Sequence, residues 1–342
     1  MSSNQQVLAG IGGAKEEFIV VGNSKFNTYI AAYPWSDGFG TKFADPATLP
    51  PSMVTGLDFN PAGTVVALTT YGGSNVSAYA WSSSGFGSKY ADPSTLPTGQ
   101  GSGVAFSPAG TEIAAAHATS PYVTAYPWSG SGFGSKFANP STLPAGKSYG
   151  VAFHPAGTTI ALANESSPYV TAYRWSSSGF GSKWANPSSL PPHRNHSIAF
   201  NPAGTVVALA NVVSPFILAY AWSGSGFGTK YANPATLPAQ NCTGVAFSAD
   251  GTAVAVVHDG SPYVTAYPWS SGFGTKYANP STLPTGSGQS VAFSTDGTSI
   301  AVGHSTSPYT SAYPWSSGFG TKYANPATLT AAATASIAFG IA

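Results

Sequence analysis

The chain has 342 residues, with 12 Lys and Arg against 11 Asp and Glu and a formal net charge of +1, and that length is ample for a buried core. Charged residues make up only 7% of it, and the basic ones are spread nearly evenly along the sequence. This excludes the clustered cations that nucleic acid or an anionic lipid surface demands. A single cysteine, Cys242, excludes an intrachain disulfide and any multi-thiolate metal site.

The 40 Gly and 28 Pro approach the composition of low-complexity sequence, but 13% aromatic residues supply the apolar area that offsets the entropy of ordering. In chain order, Met1 to Gly13 has no basic region and too short an apolar run for a secretory signal, and no later segment reaches the length of a membrane span. Residues 1–13 are therefore read as an N-terminal arm and 14–342 as one domain. Phe18 to Val21, Thr28 to Trp35 and Thr41 to Ala44 read as three strands.

From there a period runs through the chain. Trp35, Trp81, Trp128, Trp175, Trp222, Trp269 and Trp315 are spaced by 46, 47, 47, 47, 47 and 46 residues, each followed by Ser and then Gly-Phe-Gly. Trp184 is off this register and replaces the Tyr or Phe that elsewhere follows the repeated lysine. The unit Gly150 to Pro187 divides at its turn residues into Val151 to Phe153, Thr159 to Asn164, Tyr169 to Trp175 and Ser182 to Ala185, four short segments of β character with no helical period. Four strands per unit and seven units predict an all-β, seven-bladed propeller of four-stranded antiparallel blades. Ala335 to Phe339 matches the first strand of a unit and has no others after it, so it is expected to pair with the N-terminal strands and close the ring. The alternative is that Val7 to Ala9 supplies that innermost strand.

These residues carry a resemblance. The run Val104 to Thr111, with the aromatic strand ending in Trp, resembles WD40-type propellers, although Ser follows the Trp where that family has Asp. The SPYVTAY stretch with ALAN before it (Ala161 to Asn164) resembles the YVTN-type bacterial repeat, which permits a lactonase-like activity. Strings such as GFGTKYANPATLP resemble repeat proteins of tailed-phage genomes, implying a virion component.

Comparing the units with one another separates scaffold from site. The lysines Lys42, Lys89, Lys136, Lys183, Lys230, Lys276 and Lys322 recur in every unit and are expected on the outermost strand, where charge discourages edge pairing. The repeated Trp is expected to pack between blades. Variation concentrates between the repeated Leu-Pro and the next first strand, the pattern of a binding face on a rigid scaffold. The richest residues there are Lys147, Tyr149, His193, Arg194, Asn195, His196 and Asn241, which offer donors, a guanidinium fork and an aromatic plane. Eleven residues before each repeated Trp stand Ser24, Thr70, His117, Asn164, Asn211, His258 and His304, expected to form a polar ring at the channel. His117 lies three blades from the nearer of the other two histidines, so no single metal ion is expected.

No catalytic set is evident. The acids Asp58, Glu112, Glu165, Asp250, Asp259 and Asp296 are scattered, and Cys242 would need a base such as His193 or His196 to act as a nucleophile. The sequence thus leads to a non-enzymatic interaction module without cofactor: a phage decoration, fibre or tail protein at the virion or cell exterior, oligomerising through its arm. Its expected partners are other virion or surface proteins. A lectin binding host glycans through Tyr149 and Arg194 is the alternative, and a lactonase the more distant one.

Overall fold

The computed structural model describes residues 16–24, 29–330 and 332–342. The expected arm and the alternative inner strand Val7 to Ala9 lie outside them. Among the described residues there is no helix; the chain forms seven antiparallel sheets arranged as the blades of a ring. Blade four shows the pattern: Ser148–Phe153 is innermost, followed outward by Thr159–Asn164, Val170–Ser176 and Gly179–Lys183. Every residue of Thr159–Asn164 is buried. The reason is that both faces of a blade are covered by its neighbours, so an apolar run replaces the usual alternation.

The innermost strands Val54–Phe59, Gly101–Phe106, Ser148–Phe153, Asn195–Phe200, Cys242–Phe247, Gly288–Phe293 and Thr334–Ile341 each touch the next around the ring. The last of these is the C-terminal strand. It pairs antiparallel with Glu17–Asn23, which pairs in turn with Ile30–Trp35, so the first blade is built from both ends of the chain and the ring has no open edge. The fit at this seam is close: Gly63 has φ +70°, and a Cβ there would lie 1.6 Å from the Ile341 carbonyl oxygen.

Each repeated tryptophan is 4–6% exposed and meets at least three aromatic rings edge-on. Trp175 contacts Phe153 and Phe180 of its own blade at 5.2 and 5.0 Å and Phe137 of the preceding blade at 5.5 Å. The same triple contact recurs at Trp35 across the seam, with Phe339, Phe39 and Tyr323. Edge-to-face pairs of this kind contribute about 0.5–1.5 kcal/mol each beyond area burial. Trp184 takes the role of Phe137, meeting Trp222 at 5.9 Å. A second tie crosses six of the seven junctions. The buried tyrosines Tyr33, Tyr126, Tyr173, Tyr220, Tyr267 and Tyr313 donate to a backbone carbonyl of the preceding blade at 2.7–2.9 Å. In blade two the equivalent hydroxyl, on Tyr79, is buried without a partner.

The outermost strands differ from expectation. In blade four the strand is Gly179–Lys183, beginning earlier than Ser182, because Ser176 and Gly179 pair directly across a two-residue turn. Thr41 to Ala44 is not a strand. Blades one, six and seven have one residue fewer between Trp and Gly-Phe-Gly, and there the fourth strand shrinks to the single bridges Trp35–Phe39, Trp269–Phe273 and Trp315–Phe319. The repeated lysines do not stand out as edge charges. Each folds back onto the Asp or Asn three residues on, as in Lys42 to Asp45, Lys136 to Asn139 and Lys230 to Asn233, and staples the turn before the following proline.

On the face of the first-to-second-strand turns, Glu17 accepts hydrogen bonds from the Thr295 backbone N–H and, at 2.7 Å, its hydroxyl. It lines a cavity of about 570 Å³ together with Asp37 and Asp296. Burial, reinforced by Asp296, pushes the Glu17 carboxyl up to about 7. In the unfolded chain it ionises near 4.5, so ionisation is disfavoured by folding and stability falls as pH rises between those values. Denaturant titrations at pH 5 and pH 8 should show this loss in the native protein and a flatter dependence in Glu17→Gln. The unpartnered hydroxyl gives a second expectation: Tyr126→Phe costs about 1 kcal/mol, whereas Tyr79→Phe is neutral or stabilising. Equal losses in urea unfolding would contradict it.

Candidate functional site

The loops joining second to third strands and those entering the innermost strands meet on the opposite face. One backbone hydrogen bond repeats there in every blade. Tyr71, Ala118, Glu165, Val212, Asp259, Ser305 and Ser24 donate their N–H, at 2.8–3.3 Å, to the carbonyls of Met53, Gln100, Lys147, Arg194, Asn241, Ser287 and Ala333. Seven residue pairs are thus pinned around the channel mouth. Just inside them, the second residue of each innermost strand faces the channel: Thr55, Ser102, Tyr149, His196, Thr243, Gln289 and Ala335. Its neighbours on either side are buried, and period-two alternation leaves this one position half open. That alternation was present in the variable segments and could have singled out these seven residues.

The expected channel ring is displaced from this position. Thr70, His117, Asn164, Asn211, His258 and His304 are fully buried inside their blades. The histidine Nε2 atoms of His117, His258 and His304 lie 2.9–3.0 Å from the hydroxyls of Thr124, Thr265 and Ser311 on the third strand. Asn164 and Asn211 instead donate to Ser148 and Asn195 on the innermost strand, both at 2.8 Å. In the first blade the equivalent residue is Asn23, which pairs with Thr334, and Ser24 is exposed. The shift arises because the Asn23 N–H donates to Tyr29 O, six residues on, where Asn164 donates to Tyr169, five residues on.

The predicted binding residues separate into two groups. Lys147, Tyr149, Arg194, His196 and Asn241 come together in one sector of the mouth, across blades four to six. The Lys147 ammonium lies 4.5 Å from the Tyr149 ring centroid, and the Tyr149 and His196 rings are 4.8 Å apart. Tyr149 donates its hydroxyl to Glu165 at 3.2 Å, and Asn241 donates to Asp259 at 2.7 Å. Asn195 is instead fully buried, donating to the Tyr169 carbonyl at 3.0 Å. His193 is exposed outside the cavity and stacks on Tyr169 at 5.7 Å. The two acids Glu165 and Asp259, scattered in sequence, reach this sector because each is the partner of a mouth residue in the repeated hydrogen bond.

Electrostatics follow from the crowding. Burial, with Arg194 and Lys147 adding to it, holds His196 down to about 4, against the weaker opposing pull of Asp259. The imidazole is therefore neutral at physiological pH. Lys147 is lowered first by burial and then by Arg194, while Glu165 acts to raise it. Cys242 is fully buried, and burial followed by Asp259 raises its thiol well above its ordinary value, which removes it as a nucleophile. The central cavity has a volume of about 290 Å³ and is lined by Met53, Tyr71, Lys147, Tyr149, His196 and Gln289 among others. Among the described residues, no group of three or more His, Cys, Asp or Glu is placed to hold a metal ion.

No protein-family model matches the chain, and no curated protein matches it. Solved structures do. A protein from Bacteroides uniformis described as a "putative 6-phosphogluconolactonase" is 16% identical over 95% of this chain and 99% of its own, with a TM-score of 0.67. One of the same description from Bacteroides fragilis is 14% identical over 95% and 98%, with a TM-score of 0.64. A protein from Lactobacillus plantarum is 14% identical over 95% and 99%, with a TM-score of 0.73. The likeness is one of fold. It corrects the expectation of a virion module, since proteins sharing this fold over nearly the whole chain are described as "putative 6-phosphogluconolactonase". The seven repeated Trp rings pack between blades as expected, buried against other aromatics.

Burial lowers His117, His258 and His304 to about 4 from 6.5. The stability they contribute is complete above 6.5 and is lost as pH falls towards 4, where the unfolded chain binds protons that the folded chain refuses. Asn occupies the equivalent position in blades four and five. In His117→Asn, urea midpoints measured between pH 7 and pH 4.5 should fall less steeply than in the native protein; an unchanged slope would mean that His117 is not one of the groups responsible.

Proposed function

We propose that the protein hydrolyses an anionic lactone bound at the channel mouth. One observation carries this reading. Among the described residues, seven lysines staple their own turns, as Lys42, Lys89 and Lys183 do, and Arg174 lies 3.7 Å over the Trp184 ring. Lys147 and Arg194 are the remaining cations among the described Lys and Arg residues, and both stand in the sector that holds Tyr149 and His196. A chain so poor in charge brings two cations, two carboxylates and a neutral imidazole to one sector of the channel mouth, where Lys147 and His196 line the cavity. Two propellers of the same fold carry the lactonase description given above, which supports the choice of reaction.

The chemistry asks for little beyond this set. The oxygen of a water molecule bonds to the lactone carbonyl carbon, the bond from that carbon to the ring oxygen breaks, and the ring oxygen leaves with a proton, giving a hydroxy acid. Lys147 and Arg194 hold the substrate's anion and stabilise the charge that develops on the carbonyl oxygen. His196, neutral at working pH, accepts the proton from water. Glu165, oriented by the Tyr149 hydroxyl at 3.2 Å, offsets the cations so that they do not trap the product acid.

Hydrolysis of 6-phospho-δ-gluconolactone followed in a pH-stat tests the reading. The native protein should exceed the spontaneous rate, and the double variant Lys147→Ala, Arg194→Ala should lose about 10²–10³-fold in kcat/KM. Activity should also fall away below about pH 4 as His196 becomes protonated. A native rate indistinguishable from buffer alone, with this lactone and with an aryl lactone carboxylate alike, would refute the proposal.

A further inference from the structure

The seven pinned pairs around the mouth share one backbone geometry and differ only in their side chains, so the order of those side chains describes the ligand. Blades four to six present Lys147 with Glu165, Arg194 with Val212, and Asn241 with Asp259. Blade two presents Met53 with Tyr71. It lies three blades from Arg194 and His196, the greatest separation a seven-membered ring allows, and so faces them across the opening. The remaining pairs, Gln100 with Ala118, Ser287 with Ser305 and Ala333 with Ser24, carry no charge. Among the described residues the mouth therefore has one ionic side and one apolar side.

Tyr71 is 53% exposed, the most open of the large hydrophobic side chains that reach solvent among the described residues. It is also firmly placed. Its N–H donates to Met53 O at 3.0 Å, and the next residue, Gly72, donates its N–H to the Ser52 hydroxyl at 2.8 Å and accepts from that hydroxyl at 3.0 Å. Thr70 binds the same carbonyl at 2.9 Å. A loop clamped from both sides thus holds an aromatic ring in the wall of the 290 Å³ cavity, beside Met53 and across from His196. A polyhydroxylated sugar lactone would meet this wall only through the C–H face of its ring. An aromatic ring and a thioether chain instead match a flat or extended apolar group.

We infer, on the lactone-hydrolase reading above, that the substrate carries an aryl or alkyl group as well as an anion, and that Met53 and Tyr71 are the specificity-determining residues that receive it. The anion lies towards Lys147 and Arg194, and the apolar group lies on Tyr71. The lactone carbonyl between them is thereby brought to His196. A cavity of this size admits a ligand of one or two rings, below or at the small end of the roughly 300–1,000 Å³ common for small-molecule sites.

The test uses two lactones that share ring size and a carboxylate: 6-carboxy-3,4-dihydrocoumarin, which has a fused aryl ring, and a δ-valerolactone carboxylate, which has none. Initial rates are measured for the native chain, Tyr71→Ser and Met53→Ser, and binding of the two hydroxy-acid products is measured by titration calorimetry. Because Tyr71 is exposed and its backbone bonds survive substitution, Tyr71→Ser should fold; Met53 also packs against the core, so circular dichroism and a urea midpoint are measured for both variants. The inference expects kcat/KM for the aryl lactone to fall about tenfold in each variant, with the valerolactone almost unchanged and the aryl product losing affinity in parallel. If the native chain hydrolyses both lactones and the variants lose activity on neither, or equally on both, the apolar subsite is wrong while the hydrolase reading stands. If the native chain neither hydrolyses nor binds either compound, the hydrolase reading falls and the inference falls with it.

Discussion

The rest of the molecule depends on the tryptophan at each blade junction. A blade is apolar on both faces and cannot stand alone, and the Trp ring, held edge-on by two rings of its own blade and one of its neighbour, ties each sheet to the next. Since the contact is directional, it sets the angle between blades as well as their adhesion. Seven such angles close the ring only if the last junction is made like the others, and at Trp35 it is, with Phe339 supplied by the far end of the chain. Bulk at that contact is conserved in kind within the chain: where Trp184 replaces the usual Phe or Tyr, Trp222 still meets it edge-on at 5.9 Å.

A scaffold so uniform leaves few places for individuality. Turn lysines, junction aromatics and inter-blade tyrosines recur in every unit because each satisfies the same local requirement. The mouth is different. There the backbone hydrogen bond between the second-to-third-strand loop and the entering loop fixes position without constraining the side chains, so seven equivalent sites can each carry separate chemistry. This division explains why sparse charge does not mean absent chemistry. Lys147, Arg194, Glu165 and Asp259 are a large share of the ionic groups not used in turns, and beside them burial, reinforced by Arg194 and Lys147 against the pull of Asp259, depresses His196. Fold and function are therefore nearly independent in this chain: altering the mouth leaves every junction intact.

Much was legible in one dimension. The 46- and 47-residue spacing of tryptophan established the blade number, and even the two 46-residue intervals mark blades whose fourth strand is reduced to a bridge at Phe39 and Phe273. The tail Ala335 to Phe339 was recognisable as an inner strand because it repeats one. Lys147, Tyr149, Arg194, His196 and Asn241 stood out because they break a repeated pattern on an otherwise constant frame.

What remained hidden depended on contacts between distant segments. Counting back from tryptophan placed Ser24 in the polar ring, but a single extra residue in one loop gives that place to Asn23, and only strand pairing reveals the offset. His117, His258 and His304 look like channel residues until the third-strand hydroxyls that enclose them are seen. Tyr71 and Met53 carry no motif, and neither do Glu165 and Asp259; their meaning comes from facing one another across an opening that no stretch of sequence contains. The sequence by itself determined the repeat, the strand pattern and hence the ring, because those follow from local periodicity and steric preference. Only the tertiary structure decided which side chains share the mouth, because that is set by the closure of seven blades and the hydrogen bonds that join separate loops.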